Sequence, residues 1–145
     1  MTTNEYLYDT EHTIADYTEP RFLGRVAMAP VDVILDRERA LVLQPDVLFI
    51  STARLGIIRN QVWGPPDLVV EVLSPATEHR DRTEKLGWYR QYGVRECWLV
   101  DVREELVTVV DFTGAQPVER AAKGMDAIQS SVLPGLEVTA AAVFV

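Results

Sequence analysis

The stretch GPPDLVVEVLSPATEHRDRTEKLGWYRQYG, residues 64–93, decides the fold because its hydrophobic pattern changes part-way along it. Residues 68–73 form a nearly continuous apolar run, which is typical of a strand that is covered on both faces. Leu86, Tyr89 and Gly93 then recur at helical spacing, and glycine is a common residue where a helix ends. The pattern therefore predicts a buried strand followed by a helix.

Two carboxylates accompany this strand. Asp67 stands just before the apolar run, and Glu71 is the only charged residue inside it. Side chains alternate along a strand, so these two share one face. An ionised carboxylate in an apolar strand is costly unless it is paired or binds a cation. Glu71 therefore needs a partner, and two are within reach of a compact fold: Asp46, on a strand expected nearby, and Lys85, on the helix.

Two carboxylates from adjacent strands would form a site of hard oxygen ligands. Such a site suits Mg²⁺ or Mn²⁺, which keep several waters and accept one or two protein carboxylates plus substrate phosphate. A backbone carbonyl within the strand, such as that of Val72, can supply a further oxygen. A lysine beside the ion can hold an attacking water or stabilise charge that grows on a phosphate. Lys85 is one of two lysines in a chain that otherwise uses arginine, and its compact ammonium suits this role.

Length and composition point to one globular domain. The chain has 145 residues, of which 48% are hydrophobic, and this length can bury a substantial core. No apolar run reaches the roughly 18–20 residues that a membrane helix requires, and the first residues lack the pattern of a signal peptide. The lone Cys97 cannot form an internal disulfide, which is typical of proteins in the reducing cytoplasm. Together, these features predict a cytoplasmic location without membrane contact.

The net charge of −8 is unevenly distributed. Residues 1–20 contain five acidic residues and neither lysine nor arginine. Residues 76–95 contain five basic residues against three acidic ones, so the region that follows Glu71 is locally positive. In a chain this acidic, any contact with nucleic acid must come from a local basic patch or from metal ions. Within the basic region, Arg80 and Arg82 are candidate phosphate contacts.

The rest of the chain predicts further strands around the strand and helix of residues 64–93. Residues 1–20 are polar without a clear period, which indicates an irregular or loosely docked lead-in. The order of strands and helix gives an α/β or α+β domain with a mixed sheet flanked by helix, and a charged hairpin turn joins the first two strands. The further strands are expected at residues 24–36, broken near Pro30, and at 40–51, 96–102 and 106–112, with one last strand and a turn within 127–138.

Four motifs follow one another in a specific order: PDV at 45–47, PPDLVVEVLSP at 65–75, RDRTEKLGWYRQYGVRECWLVD at 80–101 and SSVLPGLEV at 130–138. In this order they closely resemble the Uma2 family, which belongs to the restriction-endonuclease-like, PD-(D/E)xK superfamily. The resemblance covers roughly residues 24–145 and leaves residues 1–23 as an acidic N-terminal lead-in. It implies a restriction-endonuclease-like fold, in which helices flank a mixed β-sheet core.

The resemblance also implies a metal-dependent endonuclease that hydrolyses phosphodiester bonds. Asp46 would supply the aspartate of the PD half, and Glu71 would be the (D/E). The position of the superfamily's lysine holds Leu73 here, so that role passes to Lys85 on the following helix. With the Val72 carbonyl, the two acids would bind Mg²⁺ or Mn²⁺, and the substrate would be nucleic acid, with DNA favoured over RNA.

Two alternatives stay open from the sequence. Asp67 also follows a proline, so it is a second candidate for the metal ligand, although a ligand from a neighbouring strand, Asp46, makes the tighter pocket. The other alternative concerns function: a catalytically weak or inactive relative would keep the fold and act as a dimerising interaction module. A homodimer is expected in either case, because the superfamily often forms dimers.

Overall fold

A computed structural model describes residues 3–74 and 81–144 of the chain. The main sheet has, in spatial order, the strands β1 (Gly24–Met28), β4 (Val47–Ser51), β6 (Leu68–Leu73), β7 (Glu96–Asp101), β8 (Leu106–Asp111) and β9 (Val118–Lys123). The central pair, β6 and β7, is parallel, and the other neighbouring pairs are antiparallel. A parallel pair needs a crossover connection, and the helix between β6 and β7 belongs to that connection.

A smaller sheet packs against one face of the main sheet. It contains, in spatial order, β3 (Leu41–Leu43), β2 (Val33–Asp36) and β5 (Val62–Trp63). The antiparallel pair of β2 and β3 confirms the predicted hairpin. The predicted strand at 24–36 divides at the cis Ala29–Pro30 peptide into β1 and β2. The predicted strand at 40–51 also divides, because β3 and β4 pair in different sheets, and a 3₁₀-helix, Thr52–Ile57, follows β4.

The first helix, α1 (Thr3–Thr18), occupies most of the segment that the sequence predicts to be irregular, and that prediction is wrong. α1 buries Tyr6 and Ile14 in the core. Thr10 is also buried, and its hydroxyl donates to the carbonyl of Tyr6 at 2.7 Å. Thr18 is buried in the same way, donating to Ile14 at 3.0 Å. A hydroxyl that is satisfied within its own helix can be buried, so threonines continue the inner stripe of α1.

The second helix, α2 (Leu86–Tyr92), follows a π-helical turn, Asp81–Lys85, and confirms the helix predicted after β6. It ends at Gly93, whose φ of 98° lies in the left-handed region that glycine adopts without strain. Neither α2 nor any other helix in the described part of the chain combines the length and apolar character needed to cross a membrane.

Both faces of the main sheet are covered, and every residue of β6 is buried, which confirms the predicted buried strand. On one face, Val70 packs in a core with residues of α1 and with Ile128 and Leu133 from the C-terminal segment that follows β9. On the other face, Val69 packs with Tyr89 of α2 and with residues of the smaller sheet. Because side chains alternate along a strand, Glu71 lies on the same face as Val69 and therefore points towards α2.

The last part of the main sheet and the segment after it differ from the prediction. The sequence pattern does not predict β9, since five of its six residues are not buried and its place depends on pairing with β8. Residues 127–138, predicted as one last strand and a turn, form an irregular segment with a turn at 134–135 and without the strand. Its apolar residues Ile128 and Leu133 still reach the core, so a hydrophobic pattern alone does not separate a strand from a packed loop here.

Two buried carboxylates of the main sheet hold this C-terminal segment in place. Glu96 accepts hydrogen bonds from the Ser131 backbone N–H at 2.8 Å and from the Ser130 hydroxyl at 2.5 Å. Asp111 accepts one from the Ser131 hydroxyl at 2.5 Å and pairs with Arg120 at 3.1 Å. Burial alone would raise the pKa of Asp111, but these donors and Thr113 hold it well below its usual range. The carboxylate therefore stays ionised at neutral pH.

Candidate active site

Two residues of the described helical segment after β6, Tyr89 and Lys85, donate hydrogen bonds to Glu71. The Glu71 side chain is 2% exposed. The Tyr89 hydroxyl donates to Oε1 at 2.5 Å, and the Lys85 ammonium donates to Oε2 at 3.3 Å. The Lys85 side chain is 20% exposed, so its ammonium lies where the buried carboxylate meets solvent. The partner that the sequence requires for Glu71 is thus provided by both residues.

The local structure explains why both donors reach the same carboxylate. Lys85 ends the π-helical turn and Tyr89 lies four residues later in α2. Residues four apart in a helix lie on one face, so both side chains point to the sheet from neighbouring turns. Val94, just past the end of α2, packs in the same core as Tyr89, which fixes the helix against this face.

Asp46 lies beside Glu71 on the neighbouring strand. The Asp46 backbone N–H donates to the Val70 carbonyl at 3.0 Å. Its carboxylate oxygen Oδ2 accepts from the Val72 N–H at 2.6 Å. These two hydrogen bonds go to the residues on either side of Glu71. The register of β4 and β6 ends at the pair Val47–Val70, so Asp46 lies just beyond the last paired residue of β4.

The backbone carbonyl of Val72 faces the same neighbouring strand. The carbonyl of Val70 points to Asp46, since it accepts the Asp46 N–H. Carbonyls two residues apart in a strand point to the same side, so that of Val72 also points towards Asp46. Asp46 therefore lies beside the backbone of Val70 and Val72, the residues on either side of Glu71.

Asp67 lies at the other end of β6 and is not part of this group. It precedes Leu68, the first residue of the strand, and four residues of extended chain, about 13 Å, separate it from Glu71. Its buried carboxylate accepts from the Ser51 N–H at 2.6 Å and has Arg54 and Arg95 within 3.4 and 3.8 Å. These partners hold Asp67 at the start of the strand.

Of the two candidate phosphate contacts, the structure describes Arg82 and not Arg80. Arg80 lies outside the described residues. Arg82, in the π-helical turn, pairs with Glu119 of β9 at 2.7 Å, and both side chains are exposed. The turn that carries Lys85 is therefore tied to the edge of the main sheet through Arg82.

The described side chains are compatible with one divalent metal ion of the magnesium type. Across residues 3–74 and 81–144, His, Cys, Asp and Glu side chains do not gather in groups of three or more that could hold a metal. A metal ion held by the two carboxylates of Asp46 and Glu71 would therefore need the Val72 carbonyl and water as its further ligands. This donor set, all oxygen and with few charges, fits Mg²⁺ or Mn²⁺, which retain several waters.

Tyr89 is the residue of this group that the sequence analysis did not single out for the site. A tyrosine on the inner stripe of a helix predicts packing, and its ring is indeed fully buried. The spacing of four residues between Lys85 and Tyr89 is the signal that links the two, because it puts both on one helix face.

Comparison with known families bears on this arrangement. The family model of Uma2, described as "Putative restriction endonuclease", matches residues 4–141. The chain belongs to the Uma2 family. The Uma2 match spans Asp46, Glu71 and Lys85, and it begins within α1 rather than after it.

One solved structure shows how far the Uma2 fold is shared. It is the crystal structure of a "putative nuclease belonging to DUF820" from Anabaena variabilis ATCC 29413, which superposes with a TM-score of 0.79 at 17% sequence identity. The match covers 99% of this Uma2 chain and 81% of the other chain. At this identity the likeness establishes the fold alone, and it confirms the predicted mixed sheet flanked by helices. No curated protein matches this Uma2 chain.

Proposed function

We propose that this Uma2 protein is an Mg²⁺-dependent endonuclease that hydrolyses phosphodiester bonds in DNA. The observation that carries the proposal is that Lys85 donates to Glu71 while Asp46 accepts from the backbone N–H of the next residue, Val72. These residues are remote in sequence, and structural stability alone does not require two acids beside each other in a covered strand pair. The family description, "Putative restriction endonuclease", supports the same activity.

The metal ion would be held by the carboxylates of Asp46 and Glu71 and by the Val72 carbonyl. When bound, Mg²⁺ supplies Lewis-acid catalysis and stabilises negative charge on a phosphate oxygen. The hydrogen bond from the Val72 N–H holds the Asp46 carboxylate beside the residue whose carbonyl would be the third oxygen donor. Mn²⁺ would take the same ligands.

Lys85 would contact the substrate. Its ammonium lies at the edge of solvent and 3.3 Å from the buried Glu71 carboxylate, which keeps the ammonium oriented in the absence of substrate. A scissile phosphate beside Glu71 would accept a hydrogen bond from this ammonium. A fixed cation of this kind stabilises the charge that develops on the phosphate oxygens during hydrolysis.

Phosphate contacts by Arg80 and Arg82 remain part of the proposal. Arg82 would have to leave Glu119 to reach a phosphate. An exposed ion pair of this kind contributes only ~0–1 kcal/mol to stability, so breaking it costs little free energy. An assembly of two chains and a cytoplasmic location also stay predictions from the sequence.

The proposed activity is tested by incubating supercoiled plasmid and single-stranded DNA with the protein and either Mg²⁺ or Mn²⁺, with and without EDTA. Cleavage is expected with either metal and is expected to stop when EDTA removes it. Cleavage that survives EDTA would contradict the proposal. An absence of cleavage with both metals would favour the alternative, an interaction module that keeps the fold.

A further inference from the structure

The contact between Tyr89 and Glu71 joins a rigid part of the core to the proposed metal site. The Tyr89 ring is fully buried among apolar side chains of α2, the main sheet and the smaller sheet. Its hydroxyl is the closer of the two donors to Glu71, at 2.5 Å against 3.3 Å for Lys85. A ring packed in this way cannot turn without disturbing its neighbours, so core packing fixes the position of the hydroxyl.

We infer that Tyr89 is a positioning residue that holds the Glu71 carboxylate in the orientation needed to bind a divalent cation, an inference that rests on the proposed function. Tyr89 does not touch the substrate in this arrangement and acts through Glu71. Hydrogen bonds to a ligating side chain set its orientation and its strength as a ligand, and such partners matter for metal affinity nearly as much as the ligands.

The chemistry of the two donors separates their roles. The Lys85 ammonium carries a positive charge, so a divalent cation on Glu71 repels it, and the long side chain is free to turn towards the substrate. The phenol of Tyr89 is neutral and can stay on Oε1 when the cation is present. A carboxylate oxygen has two lone-pair sites, so accepting the Tyr89 hydroxyl leaves Oε1 with a further site. Tyr89 is therefore the donor suited to orient Glu71 in both the empty and the metal-bound states.

Tyr89→Phe tests this inference, because it removes the hydroxyl and keeps the ring in the core. Mn²⁺ affinity, measured by titration calorimetry, is expected to fall by about 10–100-fold. The matched control is Tyr92→Phe. Tyr92 lies on the same helix and donates to a carboxylate outside the site, Asp36, at 2.7 Å. Tyr92→Phe is expected to leave Mn²⁺ affinity as it is in the wild type, whatever its effect on thermal unfolding.

The outcomes separate this inference from the proposed function. If the wild type binds Mn²⁺ and Tyr89→Phe binds it equally well, the positioning role is overturned and the proposed function stands. An equal loss of affinity in Tyr92→Phe would also overturn it, because a general loosening of α2 would then explain both results. If the wild type binds no Mn²⁺, the proposed function fails and the inference fails with it.

Discussion

Lys85→Met is expected to reduce the rate of DNA cleavage by about 10²–10³-fold, the usual loss when a single donor that stabilises transition-state charge is removed. Methionine keeps most of the aliphatic side chain and removes the ammonium that lies 3.3 Å from Glu71. Mn²⁺ affinity is expected to stay the same or to become tighter, since a cation that competes for Glu71 has been removed. Cleavage kinetics and calorimetric titration on the same preparation measure the two effects.

The chain offers a matched control for this variant, because it contains one other lysine. Lys123 is exposed and lies 3.9 Å from the exposed Glu104. Lys123→Met also removes one positive charge, so it reproduces any general loss of attraction between the acidic protein and DNA. We expect near wild-type cleavage from Lys123→Met. Equal activity in the two variants would remove Lys85 from the proposed mechanism.

Glu71→Gln is expected to abolish metal binding and to lower cleavage by roughly 10³-fold or more. The estimate follows from the several kcal/mol that a catalytic metal ion contributes, at about 1.4 kcal/mol for each tenfold change in rate. Glutamine has nearly the same shape and can still accept a hydrogen bond from Tyr89, so the fold is expected to persist. Titration with Mn²⁺ and the plasmid assay measure the two losses.

Glu96→Gln is the control for placing an amide at a buried glutamate. Glu96 is fully buried on the next strand and accepts hydrogen bonds from Trp98 and from the C-terminal segment on the opposite face of the sheet. This variant is expected to lower the thermal unfolding midpoint while it keeps Mn²⁺ binding. Mn²⁺ binding or cleavage that survives in Glu71→Gln would show that Glu71 serves stability alone.

The strand and helix of residues 64–93 were predictable because local signals determine them. The apolar run of β6 and the helical spacing that follows are visible in the sequence, and Gly93 marks the end of α2. The need of Glu71 for a partner also follows from the cost of burying a carboxylate. That cost does not say which partner is chosen, so the tyrosine hydroxyl was missed.

The elements that sequence analysis missed depend on contacts that no local pattern shows. In α1, Thr10 and Thr18 take inward positions because each donates its hydroxyl to a carbonyl of the same helix. The buried face of α1 therefore does not appear in the sequence as a regular apolar pattern. β9 is mostly exposed and is a strand because β8 offers a free edge to pair with. Residues 127–138 are apolar enough for a strand, but hydrogen bonds from Ser130 and Ser131 to Glu96 hold an irregular path.

The choice between the two aspartates also depended on three-dimensional contacts. Asp46 and Asp67 both follow a proline, and the sequence motif fits either. The structure surrounds Asp67 with Arg54 and Arg95, while the carboxylate of Asp46 meets the backbone beside Glu71. The proposed metal site therefore rests on Asp46.

A crystal of the protein soaked in Mn²⁺ gives the most direct test of the account, because the anomalous signal of manganese locates the ion without assumptions about activity. We expect one strong peak at the C-terminal end of β6, within coordination distance of the carboxylates of Asp46 and Glu71 and of the Val72 carbonyl. A peak beside Asp67, or Glu71 still bound to Lys85 with no manganese near it at a saturating concentration, would contradict it.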